Sequence, residues 1–284
     1  MKRTVPPARA ALPPDARAQA GTPRERPAFP ARLPGMAPAP VPRVVARPAA
    51  GPLGPALSPV ARPAPRPQGA GLDSSAFRAA MVRRLQLQGL AHEGVVAAMQ
   101  AVERHRFVDS ALVSQAYEDT SLPIGLGQTI SKPSVVARMA ELLCEGRELP
   151  MGRVLEIGTG CGYQAAVLSH LSREVYSIER LRGLHEKARE NLRWFRLSNV
   201  HLLFGDGMLG FDRGAPYAGI IAAAGGEALP QAWLDQLAVG GRLVAPARTV
   251  TGQQILMVVD RTAQGWVSKT LDVVNFVPLK SGTV

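Results

Sequence analysis

The sequence predicts an α/β fold in which helices cover both faces of a doubly wound, mostly parallel sheet. The main observation is a short apolar run at residues 154–157 that breaks abruptly into a Gly-Thr-Gly-Cys-Gly turn. Apolar residues at helical spacing follow directly, so this stretch combines a strand, a tight glycine turn and a helix. Two further strand candidates, residues 174–178 and 200–204, are each followed closely by an acidic residue. The carboxyl ends of such strands meet at one edge of a parallel sheet and form a ligand-binding crevice there.

Composition divides the chain into an extension and one folded domain. Of the 284 residues, the first 72 contain 18 of the 25 prolines and carry a net charge of +9, against +11 for the whole chain. This Pro/Ala/Arg-rich extension has no periodic apolar pattern, so we expect it to be disordered. The domain is expected at residues 73–284, with a helical preface and a substrate loop at 73–150 and the main sheet at 151–284.

Composition also bears on location and partners. Neither a signal peptide nor a membrane-spanning segment is predicted, because no apolar stretch is long enough. Cys144 and Cys161 are the only cysteines, so we expect no disulfide framework and a reducing cytoplasm. The five histidines show no metal-ligand spacing with the cysteines, so no metal is predicted. We expect a monomer, and a solvated linker is favoured over a nucleic-acid contact for the basic extension.

The first part of the domain is predicted to begin with two helices. They are expected at residues 77–87 and 93–102, each with apolar residues at helical spacing. A basic cluster at residues 104–106 follows and is expected at the surface, since it lacks the aromatic interleaving of a nucleic-acid site.

A polar loop separates these helices from the next one. Residues 117–131 lack helical periodicity and contain a proline and two glycines, and a helix is expected at 134–143. Gln128, Thr129 and Ser131 crowd the end of this loop, and loops on rigid scaffolds often carry chemistry. The alternative for Ser131 is a simple helix N-cap.

The glycine turn decides which ligand is expected. A dinucleotide-binding turn reads G-x-G-x-x-G, whereas this one reads G-x-G-x-G with a glutamate two residues before it. The pattern resembles the E/D-x-G-x-G-x-G motif of class I methyltransferases, which hold S-adenosylmethionine. Glu156, Gly158, Thr159, Gly160 and Gly162 are therefore cofactor-binding candidates. The alternative is a glycine-rich turn without a ligand.

Two acidic residues extend this candidate site. Glu179 follows the second strand and is placed to accept hydrogen bonds from the ribose hydroxyls. Asp206, between Gly205 and Gly207, is placed to accept one from the exocyclic amine of adenine. The alternatives are a helix N-terminal acid for Glu179 and an ordinary turn aspartate for Asp206.

The remaining elements complete a seven-stranded sheet. We expect strands at 217–223 and 242–245 with a helix at 230–237 between them, then an antiparallel pair at 255–259 and 266–274.

Several motifs together resemble the protein-L-isoaspartate O-methyltransferase family. They lie at residues 122–133, 154–164, 205–207, 215–217, 240–244 and 274–279. The resemblance covers about residues 75–282 and implies a Rossmann-like class I methyltransferase fold that binds S-adenosylmethionine. It adds Gln128, Thr129, Ile130 and Gly207 to the cofactor-binding candidates. The extension departs from the pattern, because the family's domain begins where the extension ends.

The resemblance also implies a reaction: methyl transfer to the free α-carboxylate of L-isoaspartyl residues in damaged proteins and peptides. The ester would cyclise to a succinimide and hydrolyse partly to aspartate, so the implied role is protein repair. The acceptor is already ionised at neutral pH, so no strong base is needed. By resemblance Ser131 is the catalytic hydroxyl, Thr129 and Ser131 bind substrate, and Val277 and Leu279 supply backbone contacts to the peptide. The alternative for Val277 and Leu279 is a place in the sheet core.

Two other functions remain open from the sequence. One is a class I methyltransferase with a different carboxylate or small-molecule acceptor, which would bind the cofactor without methylating isoaspartyl peptides. The other is an inactive scaffold that binds nucleic acid through the basic extension, for which salt-sensitive binding would be the sign.

Overall fold

The computed structural model describes residues 74–249 and 251–284. The extension at residues 1–72, predicted to be disordered, lies outside them. The α-helices of the described residues are α1 (Ser74–Leu87), α2 (Glu93–Ala101), α3 (Pro133–Cys144), α4 (Tyr163–Ser169), α5 (Arg182–Leu192) and α6 (Gln231–Asp235). The strands are β1 (Leu122–Gly125), β2 (Gln128–Ile130), β3 (Met151–Ile157), β4 (Ser172–Glu179), β5 (Val200–Phe204), β6 (Tyr217–Ala222), β7 (Leu237–Arg248), β8 (Gln254–Thr262) and β9 (Gly265–Val273).

Seven of these strands form one sheet in the order β5-β4-β3-β6-β7-β8-β9. The first five pair in parallel, and β8 runs antiparallel to both β7 and β9. The predicted α/β class, with a mostly parallel sheet closed by an antiparallel pair, is confirmed. After β3 the chain moves one way to β4 and β5 and then returns to β6 on the other side. The carboxyl ends of β3 and β6 therefore border a topological switch point, where such sheets bind ligands.

Apolar layers cover both faces of the sheet. Val154 of β3 packs in the layer that includes buried residues of α1 to α5, while its neighbour Leu155 packs in the opposite layer with Trp233 of α6. This alternation follows from the two-residue period of a strand. It gives the strand ends, and the loops attached to them, a rigid base.

Three predicted elements differ most from the structure in extent. The strand expected at 242–245 is β7, which extends beyond it at both ends. The helix expected at 230–237 is only five residues long, because β7 begins at Leu237 and runs through Gly240 and Gly241. The loop expected at 117–131 contains the antiparallel hairpin β1–β2. Its tip is formed by Gly125, Leu126 and Gly127, all with positive φ, a conformation that favours glycine. β1 and β2 are only four and three residues long, so an alternating apolar pattern is too short to be recognised in the sequence.

The prediction that the whole basic cluster at residues 104–106 lies at the surface is wrong. Arg106 is exposed, but Arg104 has no exposed area. Arg104 begins a short 3-10 helix, Arg104–Phe107, and its guanidinium donates to backbone carbonyls of the following loop. Three consecutive polar residues look like a solvated surface in sequence, and partners 12 and 27 residues away are not visible there.

No helix of the described residues combines the length and the apolar character that a membrane crossing requires. Both cysteines are buried and free. Within the same part of the chain, no three His, Cys, Asp or Glu side chains come close enough together to hold a metal ion.

Candidate functional site

A cavity of about 640 Å³ lies at the switch point of the sheet. The hairpin β1–β2 and the residue after it form one wall, and the turns after β3, β4 and β6 form the base. Residues 277–280 from the carboxyl-terminal segment form the opposite wall. A cavity of this size accommodates a cofactor-sized molecule.

Most of the predicted site residues line this one cavity. They are Gln128, Thr129, Ile130, Ser131, Gly158, Thr159, Gly160, Glu179, Gly207, Val277 and Leu279. The other three do not line it: Glu156, Gly162 and Asp206. Their assignment as cofactor-binding residues remains a prediction.

The glycine turn has a backbone that other residues would not adopt. Gly158, Gly160 and Gly162 have φ values of 88°, 57° and 93°. A Cβ on Gly160 would lie 3.3 Å from Ile124 Cδ1, and one on Gly158 would lie 3.6 Å from Ala223 Cβ. Because Gly158 and Gly160 have no side chain, their backbone atoms are directly accessible from the cavity. Gly162 lies on the far side, where a Cβ would approach Leu192 to 3.0 Å, so its role is to start α4.

Glu179 lies at the end of β4 and is only 5% exposed. Its Oε2 accepts a hydrogen bond from the Gly160 amide at 2.9 Å, and its Oε1 accepts one from the Leu181 amide at 2.9 Å. Each carboxylate oxygen keeps a further lone pair. The carboxylate is thus fixed in orientation and can still accept hydrogen bonds from a ligand in the cavity.

Glu156 is fully buried beneath the glycine turn. Its Oε2 accepts a hydrogen bond from Ser177 Oγ, and Ser177 Oγ lies 2.6 Å from Thr159 Oγ1. Ser177 therefore lies between Thr159 and the Glu156 carboxyl and contacts both. Burial raises the pKa of the Glu156 carboxyl to about 8, against the opposing effect of the Ser177 hydrogen bond. This chain of three side chains connects the interior of the sheet to Thr159 in the cavity wall.

Asp206 lies beside a second cavity of about 620 Å³, which shares Ile178 with the first. Its Oδ1 accepts from the Met208 amide at 2.9 Å and its Oδ2 from the Gly282 amide at 2.6 Å. Both oxygens are therefore engaged by backbone amides. The contact with Gly282 links the end of β5 to the carboxyl-terminal segment, a link that sequence spacing gives no sign of.

The hairpin β1–β2 carries the polar residues that the sequence singled out. Thr129 and Ser131 both line the cavity, and Ser131 is partly exposed. Lys187 of α5 donates to the Ile124 carbonyl at 3.0 Å and pairs with Asp109 at 3.1 Å, which ties the hairpin to the helix. The N-cap of α3 is Lys132, and the Asp119 carboxylate accepts a hydrogen bond from the Ser134 amide in its first turn at 2.9 Å, so Ser131 is not the N-cap of this helix.

The carboxyl-terminal wall forms a parallel bridge between Pro278 and Gly225. The Gly225 amide donates to the Val277 carbonyl and the Leu279 amide donates to the Gly225 carbonyl, both at 2.9 Å. Val277 and Leu279 are half-buried, so they lie in the cavity wall and not in the centre of the core. Their other backbone polar groups, the Val277 N–H and the Leu279 C=O, have no backbone partner among the described residues.

Several residues that line the cavity were not among the predicted site residues, and three of them lie in the glycine motif: Cys161, Tyr163 and Gln164. Gln164 is 8% exposed and its Nε2 has no hydrogen-bond partner in the described part of the chain. Burial raises the pKa of the Cys161 thiol to about 11 and that of the Tyr163 hydroxyl to about 12. Cys161 therefore stays a thiol at neutral pH, and no histidine lines the cavity. All three lie in the glycine motif, but the binding prediction there was based on the glycines and did not extend to these side chains.

Residues 76–284 match the family model of protein-L-isoaspartate(D-aspartate) O-methyltransferase. This chain is a member of that family. Membership confirms the resemblance that the motifs carried. It also confirms the predicted enzyme class and the dependence on S-adenosylmethionine.

Individual relatives agree with the family match. A protein-L-isoaspartate O-methyltransferase of Methylibium petroleiphilum is 60% identical over 220 residues, which are 76% of this chain and 81% of that protein. One of Leptothrix cholodnii is 61% identical over 221 residues, which are 76% of this chain and 77% of that protein. A solved structure of a protein-L-isoaspartate O-methyltransferase superposes with a TM-score of 0.66 at 29% identity, over 72% of this chain and 66% of that chain.

The cavity fits the cofactor of this family. It offers a glycine turn with open backbone, a fixed carboxylate at Glu179 and the amide of Gln164, which also acts on the buried Glu156 carboxyl. These donors and acceptors match the ribose, amine and carboxylate groups of S-adenosylmethionine.

Proposed function

We propose that this chain transfers a methyl group from S-adenosylmethionine to the free α-carboxylate of L-isoaspartyl residues in proteins and peptides. The ester would cyclise to a succinimide and start the return to aspartate. The observation that carries the proposal is that Ser131, Gly160 and Glu179, from three separate segments, line one cavity. The family match and the identity of 60% to a named relative support the same reaction.

We further propose how the cofactor is held. The carboxylate of Glu179 accepts hydrogen bonds from the ribose hydroxyls, and the backbone of residues 158–160 and of Gly207 packs against the nucleoside. Gln128, Thr129 and Ile130 cover it from the hairpin. Bound in this way, S-adenosylmethionine supplies an electrophilic methyl group on a sulfonium. Glu156, Gly162 and Asp206 support this arrangement from outside the cavity, through Ser177, α4 and Gly282 respectively.

The chain's own residues bind and orient the acceptor. A carboxylate loses several kcal/mol when it leaves water unless donors replace its hydration. The hydroxyls of Ser131 and Thr129 are the donors we assign to it, with Ser131 as the catalytic residue. The Val277 N–H and the Leu279 C=O are free of backbone partners and suit strand-like recognition of the substrate peptide.

Catalysis by this site relies on positioning. The acceptor is ionised at neutral pH, and the cavity contains no histidine and no ionised thiol to act as a base. Aligning two reactants can lower a barrier by roughly 7–11 kcal/mol in favourable cases.

We also propose that the enzyme works as a cytoplasmic monomer and that residues 1–72 and 73–284 are separate units.

The test is methyl-ester formation on a synthetic isoaspartyl peptide beside its normal aspartyl twin. The purified chain should methylate the first peptide and not the second, and the ester should decay to a succinimide. A chain that binds S-adenosylhomocysteine but methylates neither peptide would point to a different carboxylate or small-molecule acceptor. Absence of both binding and methylation would favour the scaffold alternative.

A further inference from the structure

Arg104 is a buried cation that the predicted site does not include. Its side chain has no exposed area, yet no carboxylate among residues 74–249 and 251–284 lies within ion-pair distance of it, and Asp119 acts on it only from farther away. Burial lowers the pKa of the guanidinium, but an arginine keeps its charge in proteins. An unpaired buried charge is costly, so such residues usually have a specific role.

The guanidinium closes the base of the hairpin loop. Nε donates to the Ala116 carbonyl at 2.8 Å, and Nη2 donates to the Thr120 carbonyl at 3.4 Å and to the Ser131 carbonyl at 2.8 Å. Ala116 and Thr120 precede β1, and Ser131 follows β2. One side chain therefore fixes both ends of the segment that carries Thr129 and Ser131.

The same guanidinium contacts the cofactor side of the cavity. Its central carbon lies 4.8 Å from the ring centroid of Tyr163, a cation–π contact. Tyr163 is the first residue of α4, directly after the glycine turn, and it lines the cavity. Arg104 Nη1 has no hydrogen-bond partner in the described residues. Arg104 thus connects the loop that carries Ser131 to the start of α4.

We propose that Arg104 is a positioning residue for methyl transfer: it sets the hairpin that carries Ser131 against α4 and places a fixed positive charge behind the acceptor carboxylate. The proposal rests on the proposed function. Arg104 acts through the backbone of the loop and through the electrostatic potential of the site, and it does not touch the reacting atoms. Charges in a poorly solvated site interact strongly over several ångströms, so an anionic acceptor offsets the cost of burying this cation.

Two variants separate its geometry from its charge. Arg104→Lys keeps the charge, but an ammonium lacks the planar fork that reaches three carbonyls. Arg104→Gln keeps donors and removes the charge. The matched control is Arg242→Lys: Arg242 also donates to a backbone carbonyl, that of Leu142 at 2.7 Å, but it is paired with Asp260 and lies outside the cavity.

The first measurement compares substrate kinetics with cofactor binding. For both Arg104 variants, kcat/KM for the isoaspartyl peptide should fall roughly 10- to 100-fold, the range expected for a misplaced reacting group. The dissociation constant of S-adenosylhomocysteine should change by less than about twofold, because the groups assigned to it are retained. Arg242→Lys should change neither value by more than about twofold.

The second measurement tests the charge directly. A competing peptide with the α-carboxylate is compared with its neutral α-carboxamide analogue, and the ratio of their inhibition constants measures the preference for the anion. This preference should persist in Arg104→Lys and should shrink roughly tenfold in Arg104→Gln. A purely structural role for Arg104 would leave the ratio unchanged.

The outcomes are distinct. If the wild-type chain fails to methylate the isoaspartyl peptide, the proposed function fails. If it does methylate the peptide and the Arg104 variants keep their kcat/KM, or lose cofactor affinity to the same extent, the positioning role is overturned. Loss of cooperative melting in both variants would assign Arg104 to the stability of the domain and overturn the proposal as well.

Discussion

Ser131 contributes its side chain to the cavity while its carbonyl accepts a hydrogen bond from Arg104. Ser131→Ala removes only the hydroxyl and leaves that backbone contact in place. We expect kcat for the isoaspartyl peptide to fall roughly 10- to 100-fold, since one donor to the acceptor is lost. Isothermal titration with S-adenosylhomocysteine should give an unchanged affinity. An equal loss of activity and of cofactor affinity would contradict the role given to Ser131.

Glu179 is expected to affect cofactor binding and not the methyl-transfer step. Glu179→Ala removes the carboxylate that the Gly160 and Leu181 amides hold in place. We expect the affinity for S-adenosylhomocysteine to fall roughly 10- to 100-fold, the value of one or two hydrogen bonds to a charged group. Activity at saturating cofactor should recover most of the wild-type rate. A variant with full affinity would exclude Glu179 as a ribose ligand.

The raised pKa of the buried Glu156 carboxyl predicts that the folding stability of the domain depends on pH. The pKa of its carboxyl is about 8 in the folded protein because of burial, against about 4.3 in an unfolded chain. Between these values the folded state binds a proton that the unfolded state has lost. The contribution of Glu156 to folding free energy therefore falls as pH rises from about 4.5 to about 8, and the loss is complete above that.

Glu156→Gln removes this titration and keeps an acceptor for Ser177. The melting temperature of the variant should exceed that of the wild type by several degrees at pH 9, and the difference should shrink toward pH 5. Thermal melts across this pH range measure it. The exposed Glu148→Gln serves as the control and should follow the wild-type curve. A wild-type-like profile for Glu156→Gln would show that the carboxyl is ionised in the folded protein.

The backbone after β5 lies very close to the neighbouring strand β3. A Cβ on Gly207 would lie 2.6 Å from Ile157 Cγ2 on β3, whereas the nearest atom to a Cβ on Gly205 is 3.7 Å away. Gly207 also accepts a hydrogen bond from the Trp233 indole at 2.8 Å. The segment after β5 is therefore packed between β3 and α6.

We expect Gly207→Ala to cost about 1–3 kcal/mol of unfolding free energy, because Ile157 is buried and cannot move freely. Gly205→Ala should change it by less than about 0.5 kcal/mol. Chemical denaturation of the two variants beside the wild type gives both values. Equal stability of the two variants would mean that Ile157 yields without cost.

The elements differ in how far sequence could predict them. The strands of the sheet could be predicted because each is an apolar run that ends at a distinctive residue, such as Glu179 after β4 or the glycines after β3. The hairpin β1–β2 is too short for periodicity, and its tip at Leu126 depends on positive φ in a residue other than glycine. Arg104 could not be placed, since its burial depends on carbonyls of the loop that follows it. Glu156 was placed in the strand before the glycine turn, where β3 has it, but sequence did not show that its side chain is fully buried.

At the scale of the whole molecule, the proposed boundary near residue 73 is testable. The family match begins at residue 76, and the cavity is lined entirely by later residues. A chain that starts at residue 73 should keep the melting temperature of the full chain, and its kcat/KM for the isoaspartyl peptide should agree within about twofold. Differential scanning calorimetry and initial rates provide the measurements. A large loss of either would mean that the extension belongs to the folded unit.

The same truncation addresses the basic extension. Its net charge of +9 would support salt-sensitive binding to nucleic acid if the scaffold alternative held. Binding that disappears with residues 1–72, while methyl transfer persists, would assign the two properties to separate parts of the chain.

The two walls of the cavity come from segments far apart in the chain, with Ser131 before the seven-stranded sheet and Val277 after its last strand. During translation the glycine turn, Glu179 and the hairpin leave the ribosome long before residues 277–280 do. A nascent or prematurely terminated polypeptide therefore lacks one side of the active centre. The roles proposed for Val277 and Leu279 therefore imply that methyl transfer begins only once synthesis has passed the final strand.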